Sequence, residues 1–108
     1  MIQLGRSKPS EAEPYFRRAS AILRQDPRAD LRDRARALSL YARSLAAQGF
    51  PEEADPLCSE ALAALAAFHK ATGRVDADQG YLEETYRTVL RERGLAEAEI
   101  DARVREAR

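Results

Sequence analysis

The chain is 108 residues long, 44% apolar and 33% charged, with one Cys, no Trp and no formal net charge. That length holds a single domain, one Cys excludes an intrachain disulfide, and no apolar run approaches the roughly 20 residues of a membrane span. Ala, Leu, Arg and Glu dominate while Gly and Pro number five each, a composition of strong helix formers that predicts an all-α fold. Sixteen Arg against two Lys, with abundant Ala, resembles the product of a high-GC bacterial gene. Met1–Lys8 lacks the apolar core of a secretion leader, and a lone Cys fits a reducing compartment, so a cytoplasmic location is expected.

The first helix is predicted from Ser10 to Gln25. Ser10 with Glu13 reads as a capping box, and Pro14 falls early enough to cost no hydrogen bond. Ala12, Tyr15, Phe16, Ala19, Ile22 and Leu23 supply the apolar stripe, and Asp26-Pro27 ends it. A second helix spans Leu31 to Gln48 with the stripe Leu31, Ala35, Leu38, Tyr41, Ala42 and Leu45, stopped by Gly49. A third starts near Glu52 and reaches Thr72, where Gly73 ends it. Its core candidates are Leu57, Cys58, Ala61, Leu62, Leu65 and Phe68. A fourth, capped by Asp76 or Asp78, runs to about Arg93 with Tyr81, Leu82, Tyr86, Val89 and Leu90 apolar, although Gly80 weakens its start. Gly94-Leu95 repeats the Gly49-Phe50 turn. The last, Ala96 to Arg105, offers only Ile100 and Val104 beside alanines and is expected to fray.

Two of these helices are echoes. Pro9–Leu23 returns 42 residues later as Pro51–Leu65, with seven of fifteen positions identical: Pro9/Pro51, Glu11/Glu53, Ala12/Ala54, Pro14/Pro56, Ala19/Ala61, Ala21/Ala63 and Leu23/Leu65. Self-similarity at such a period marks stacked helical hairpins. A weaker echo at an offset of 45 sets Tyr86, Leu90, Gly94, Leu95 and Glu97 against Tyr41, Leu45, Gly49, Phe50 and Glu52.

These residues resemble the tetratricopeptide repeat, in its 42-residue variety typical of kinesin light chains. Leu38, Tyr41, Ala42, Leu45 and Gly49 match the pattern of a first helix and its turn, and Ala54 and Ala61 that of the second. Cys58 stands where the family usually has an aromatic, which Phe16 provides in the earlier half-repeat. The resemblance implies a short α-solenoid: a half repeat over 10–25, a full repeat over 31–71 and a degenerate capping hairpin over 76–106. It also implies that the chain opens on the second helix of a repeat, leaving Tyr15, Phe16, Ala19 and Leu23 without one packing partner. A second copy could cover that face, the chain could belong to a longer array, or the face could stay exposed.

Little points to catalysis. His69 is the only His, so one chain cannot build a two-histidine metal site, and no metal or other cofactor is expected. Cys58 occupies a core position and reads as a small hydrophobe. Glu52-Glu53 and Glu83-Glu84 point in different directions on their helices, and no Gly-rich phosphate loop is present. The expectation is a protein with no enzymatic activity.

Binding has better support. The resemblance places Arg36, Ser39, Arg43 and Ala46 on the ligand-facing side of the second helix. Arg32 extends them into a stripe of Arg32, Arg36, Ser39 and Arg43 at i, i+4, i+7 and i+11. Such guanidinium groups suit the carboxylates of an acidic peptide or protein segment, or form a solvated face. The 45-residue offset adds Tyr81, Glu84, Thr88 and Arg91. Arginines also crowd residues 17–36, but Asp26, Asp30 and Asp33 interrupt them and no aromatics interleave, which argues against nucleic acid. Residues 1–50 carry ten basic against five acidic groups and residues 51–108 eight against thirteen. That asymmetry favours head-to-tail contact between copies, or reflects ordinary charge-rich helix surfaces. The expected function is a non-catalytic interaction module. Its alternative is a self-assembling homo-oligomer joined through the first helix.

Overall fold

A computed structural model describes residues 9–107, with side chains from Glu11 onward. The Ser10 side chain, and so the Ser10 half of the expected capping box, lies outside the described residues. Five helices follow in order: α1 Pro9–Gln25, α2 Leu31–Ala47, α3 Pro51–Thr72, α4 Gln79–Glu92 and α5 Glu97–Ala107. No strand occurs among the described residues.

Local chemistry sets the helix ends. After α1, the Asp26 carboxylate accepts from the Arg28 N–H at 2.9 Å, which folds the connection to α2. Asp30 caps α2 by accepting from the Arg32 N–H at 2.7 Å, satisfying one of the free donors of the first turn. Pro51 is the first residue of α3, where its fixed φ suits a helix start. At the other end of α2, Gly49 takes φ +91°. Its N–H bonds the Ala46 carbonyl at 3.0 Å while Phe50 N–H bonds Leu45 at 2.9 Å. Gly94, at φ +88°, makes the same pair of bonds: Gly94 to Arg91 at 2.9 Å and Leu95 to Leu90 at 3.2 Å. Both are Schellman closures, which require a left-handed residue after the helix.

Short connections turn each helix back against its predecessor, so α1 packs on α2, α2 on α3, α3 on α4 and α4 on α5. Two further contacts skip one helix, α2 with α4 and α3 with α5. The molecule is 22 Å in its thinnest dimension, about two helix diameters.

From α2 to α5 the core is the predicted one, extended, whereas no residue of the α1 stripe belongs to the buried cluster. Leu38, Ala42, Leu45, Leu57, Cys58, Ala61, Leu62, Leu65, Leu82, Tyr86, Val89 and Leu90 are all buried in one cluster. Tyr41 and Leu31 reach it only partly. Tyr81, expected among the apolar residues of α4, is instead exposed and faces the groove described below. The fraying expected of α5 gives way to a docked helix. Ile100 and Val104 are fully buried and Ala107 joins them on the same stripe, packed on α3 and α4. Two apolar residues suffice because polar contacts flank them, including Arg87 to Asp101 at 2.5 Å.

The most buried of these polar contacts is an acid. Asp55, on α3, is 6% exposed. One of its oxygens accepts from the Tyr86 hydroxyl at 3.0 Å. The other accepts from Arg93 and, at 3.3 Å, from Arg103. Helices α3, α4 and α5 therefore meet at one carboxylate. The surrounding burial, with the Asp55 charge added, raises the Tyr86 pKa above its ordinary value. Removing one member of a buried ionic network leaves its partners uncompensated. Asp55→Ala is expected to cost about 3 kcal/mol in urea denaturation, the lower end of what breaking a buried ionic pair costs, because the arginines can reach water. Tyr86→Phe, which deletes one hydrogen bond, should cost about 1 kcal/mol. Equal effects of the two would show that the arginines contribute nothing to the network.

Candidate functional site

The arginine stripe sits on α2. Arg32, Arg36, Ser39 and Arg43 line one cleft of about 240 Å³, closed on the far side by Asp76, Asp78 and Tyr81. Asp30 and Arg32 pair at 3.2 Å, and Arg32 also lies 4.8 Å above the Phe68 ring centre. Its hydrogen bonds hold the Asp30 carboxyl below the ordinary carboxylate range. Arg36 faces Asp78 at 3.6 Å, with both side chains about two-thirds exposed (68% and 66%). Arg43 covers the Tyr81 ring at 5.4 Å. The guanidinium groups are thus oriented by local partners, and the carboxylates among these, Asp30 and Asp78, are exposed enough for an incoming carboxylate to displace them at little cost. Ser39 lies at the edge of burial, at 9% exposure.

Arg43 and Tyr81 also border a larger cleft of about 730 Å³. Leu40, Ala46 and Ala47 of α2 form its floor, Ala12 and Phe16 of α1 one wall, and Tyr81, Thr85, Thr88 and Val89 of α4 the other. Glu84 and Glu92 add two carboxylates from α4. Of the four residues that the weaker echo nominates, Tyr81, Glu84 and Thr88 line this cleft. Arg91 does not; it turns toward α5 and pairs with Glu97 at 3.0 Å.

The residues proposed for self-association divide. Phe16, Ala19 and Leu23 are half-buried, whereas Tyr15 is 70% exposed, edge-on to Phe16 with ring centres 5.5 Å apart. Ile22, 60% exposed, stands two turns along the same face as Tyr15. The apolar stripe of α1 is thus wider than the single neighbour it packs on.

Of the groups weighed for chemistry, Glu84 lines the larger cleft, whereas His69 and Cys58 border neither cleft. His69 is exposed near the C-terminal end of α3. Cys58 is fully buried, and that burial, with the Asp55 charge added, pushes its thiol up to about 12. Among the described residues, no three His, Cys, Asp or Glu groups are placed to hold a metal ion. Nor, among the described residues, is any helix long and apolar enough to cross a membrane.

Comparison with known proteins adds no relative: no family model, no curated protein and no solved structure matches the chain.

The sequence reading overlooked Leu40 and Asp55. Leu40 borders both clefts, but it falls outside the core stripe of α2 and so carried no signal. Asp55 did carry one. It lies three residues before Cys58 and seven before Leu62, on the apolar face, where an acid needs a partner.

The Cys58 shift gives a pH dependence of known sign. The unfolded thiol ionises near 9 and the folded one only near 12. The thiol therefore contributes stability that is fully present below pH 9 and is lost as pH rises toward 12. Thermal melts should show a midpoint that declines above pH 9, and Cys58→Ala should flatten part of that decline. A thiol reagent at pH 8 should modify the native chain far more slowly than the urea-unfolded chain; equal rates would contradict a buried thiol.

Proposed function

We propose that the chain is a non-catalytic protein–protein interaction module, a short solenoid of tetratricopeptide-like hairpins that holds a partner segment in the groove across α2. The stacking of α2 on α4 and of α3 on α5, the two-helix thickness and the paired Gly turns support the solenoid reading. One observation carries the function. Two clefts adjoin across the same helix and share Arg43 and Tyr81, so apolar surface and oriented guanidinium groups face one site. Pockets of this kind, largely apolar with a few convergent polar groups, are the usual form of a binding site. Arg32, Arg36 and Arg43 suit an acidic segment, and the location that fits is cytoplasmic.

A display selection of peptides on the immobilised chain tests the reading, with affinities measured by fluorescence anisotropy. Acidic residues should be enriched among the selected peptides. The double variant Arg36→Glu, Arg43→Glu should bind them at least about tenfold more weakly, the loss of one charge-assisted hydrogen bond. Undiminished affinity with the fold retained would remove the arginines from the site.

The exposure of Tyr15 and Ile22 on one face of α1 favours a second reading, a homo-oligomer joined through that helix. Light scattering over a concentration series separates the two. A self-assembling unit should show twice the chain mass of 12.1 kDa, and Ile22→Asp should return it to monomer. A mass of one chain at every concentration removes this second reading.

A further inference from the structure

The walls of the larger cleft are helices whose backbone groups are already bonded within themselves. Their hydroxyls are similarly engaged: Thr85 donates to the Tyr81 carbonyl at 3.0 Å and Thr88 to the Glu84 carbonyl at 3.0 Å. An extended segment laid here would bury its own N–H and C=O groups against methyls and ring edges, with few partners to replace water. A helix needs none, because its backbone is satisfied internally. The shape agrees. Helices α1 and α4 both pack on α2 but make no close backbone approach to each other, so they flank an open trough along α2.

Charge fixes the occupant further. Arg43 rises from the α2 side, and Glu84 and Glu92 stand one on each side of Thr88 on α4, two turns apart. Carboxylates eight residues apart on a helix share a face and can meet basic groups at matching spacing on a helix lying alongside.

The geometry points to an amphipathic α-helix of a partner protein as the ligand of this cleft. Its apolar face packs on Phe16, Leu40 and Tyr81, one carboxylate meets Arg43, and Lys or Arg side chains two turns apart meet Glu84 and Glu92. This inference rests on the reading of the chain as an interaction module, and it names the form and charge pattern of the partner.

Two peptide display libraries of about four helical turns decide it. One carries apolar residues at i, i+3, i+4 and i+7 with variable charges between them. The other is identical except for a central Pro, which breaks the helix. The winners are then measured by anisotropy and by far-ultraviolet circular dichroism. Binders should come from the first library alone, gain helix on binding, carry an acidic residue for Arg43 together with paired basic residues two turns apart, and weaken at least tenfold with Leu40→Glu. If Leu40→Glu disturbs the chain's own helix signal, Thr85→Arg serves as the blocking variant. Charge reversal, Glu84→Lys with Glu92→Lys, should replace the paired basic residues of the winners by acidic ones and leave the carboxylate that meets Arg43 in place.

Equal affinity for the proline library would overturn the helical ligand while leaving the module reading intact. Binding that neither blocking variant weakens would place the site elsewhere and overturn it too. Failure of both libraries to bind at about 1 mM would overturn the inference and the module reading together. A dimer in the absence of peptide, broken by Leu40→Glu, would make the occupant a second copy of the chain and overturn the foreign helix.

Discussion

A single buried carboxylate governs the second half of this molecule. Asp55 lies within the apolar face of α3, where an unpaired charge would be strongly disfavoured. Its oxygens are occupied by Tyr86 from the middle of α4, Arg93 at the end of α4, and Arg103 from α5. Apolar packing of Leu90, Ile100 and Val104 is non-directional, whereas a carboxylate with fixed hydrogen-bond partners accepts only one register. Asp55 thus adds direction to the apolar packing on α3 of α4, the helix that carries Tyr81 and Glu84 in the groove wall.

Position in the stack accounts for a contrast between the two echoing helices. Ala12, Ala19 and Leu23 of α1 are half-buried, while their counterparts Ala54, Ala61 and Leu65 of α3 are at most 2% exposed. The sequence register is the same. What differs is the number of neighbours, since α3 packs on α2, α4 and α5 and α1 packs on α2. A side-chain bridge does join the echoes: Arg24 of α1 with Glu60 of α3, a bidentate pair at the surface. That bond raises the Arg24 pKa but leaves its apolar neighbours uncovered.

Much of the fold was legible because helical periodicity and stop signals are local. The stripes of α2 and α3, the Gly turns at 49 and 94 and the C-terminal end of α1 follow from spacing and φ preferences alone. The strength of α5 was not legible. Ile100 and Val104 look too few until Asp55 and Arg87 are seen to hold the same helix by polar contacts. The stripe of Arg32, Arg36, Ser39 and Arg43 could be placed on one face by arithmetic. The larger cleft could not, because it needs α1 and α4 to flank α2 without meeting, which no spacing within one helix reveals. Exposure of Tyr81 was hidden for a related reason: an aromatic that forms a groove wall has the same sequence signature as one that fills a core.

The dependence of α1 on one neighbour has a consequence for how the molecule opens. Stability in stacked helices is nearly a sum over adjacent interfaces, so an end helix can detach without the loss of the rest. Amide protons of α1 should then exchange through a partial opening, ahead of those of α3, whose release requires dismantling three interfaces. Ala12 and Phe16, one wall of the larger cleft, belong to this outermost cooperative unit. The edge that shapes the groove can therefore open while α3 stays in place, so occupancy of the groove and order in α1 are linked equilibria.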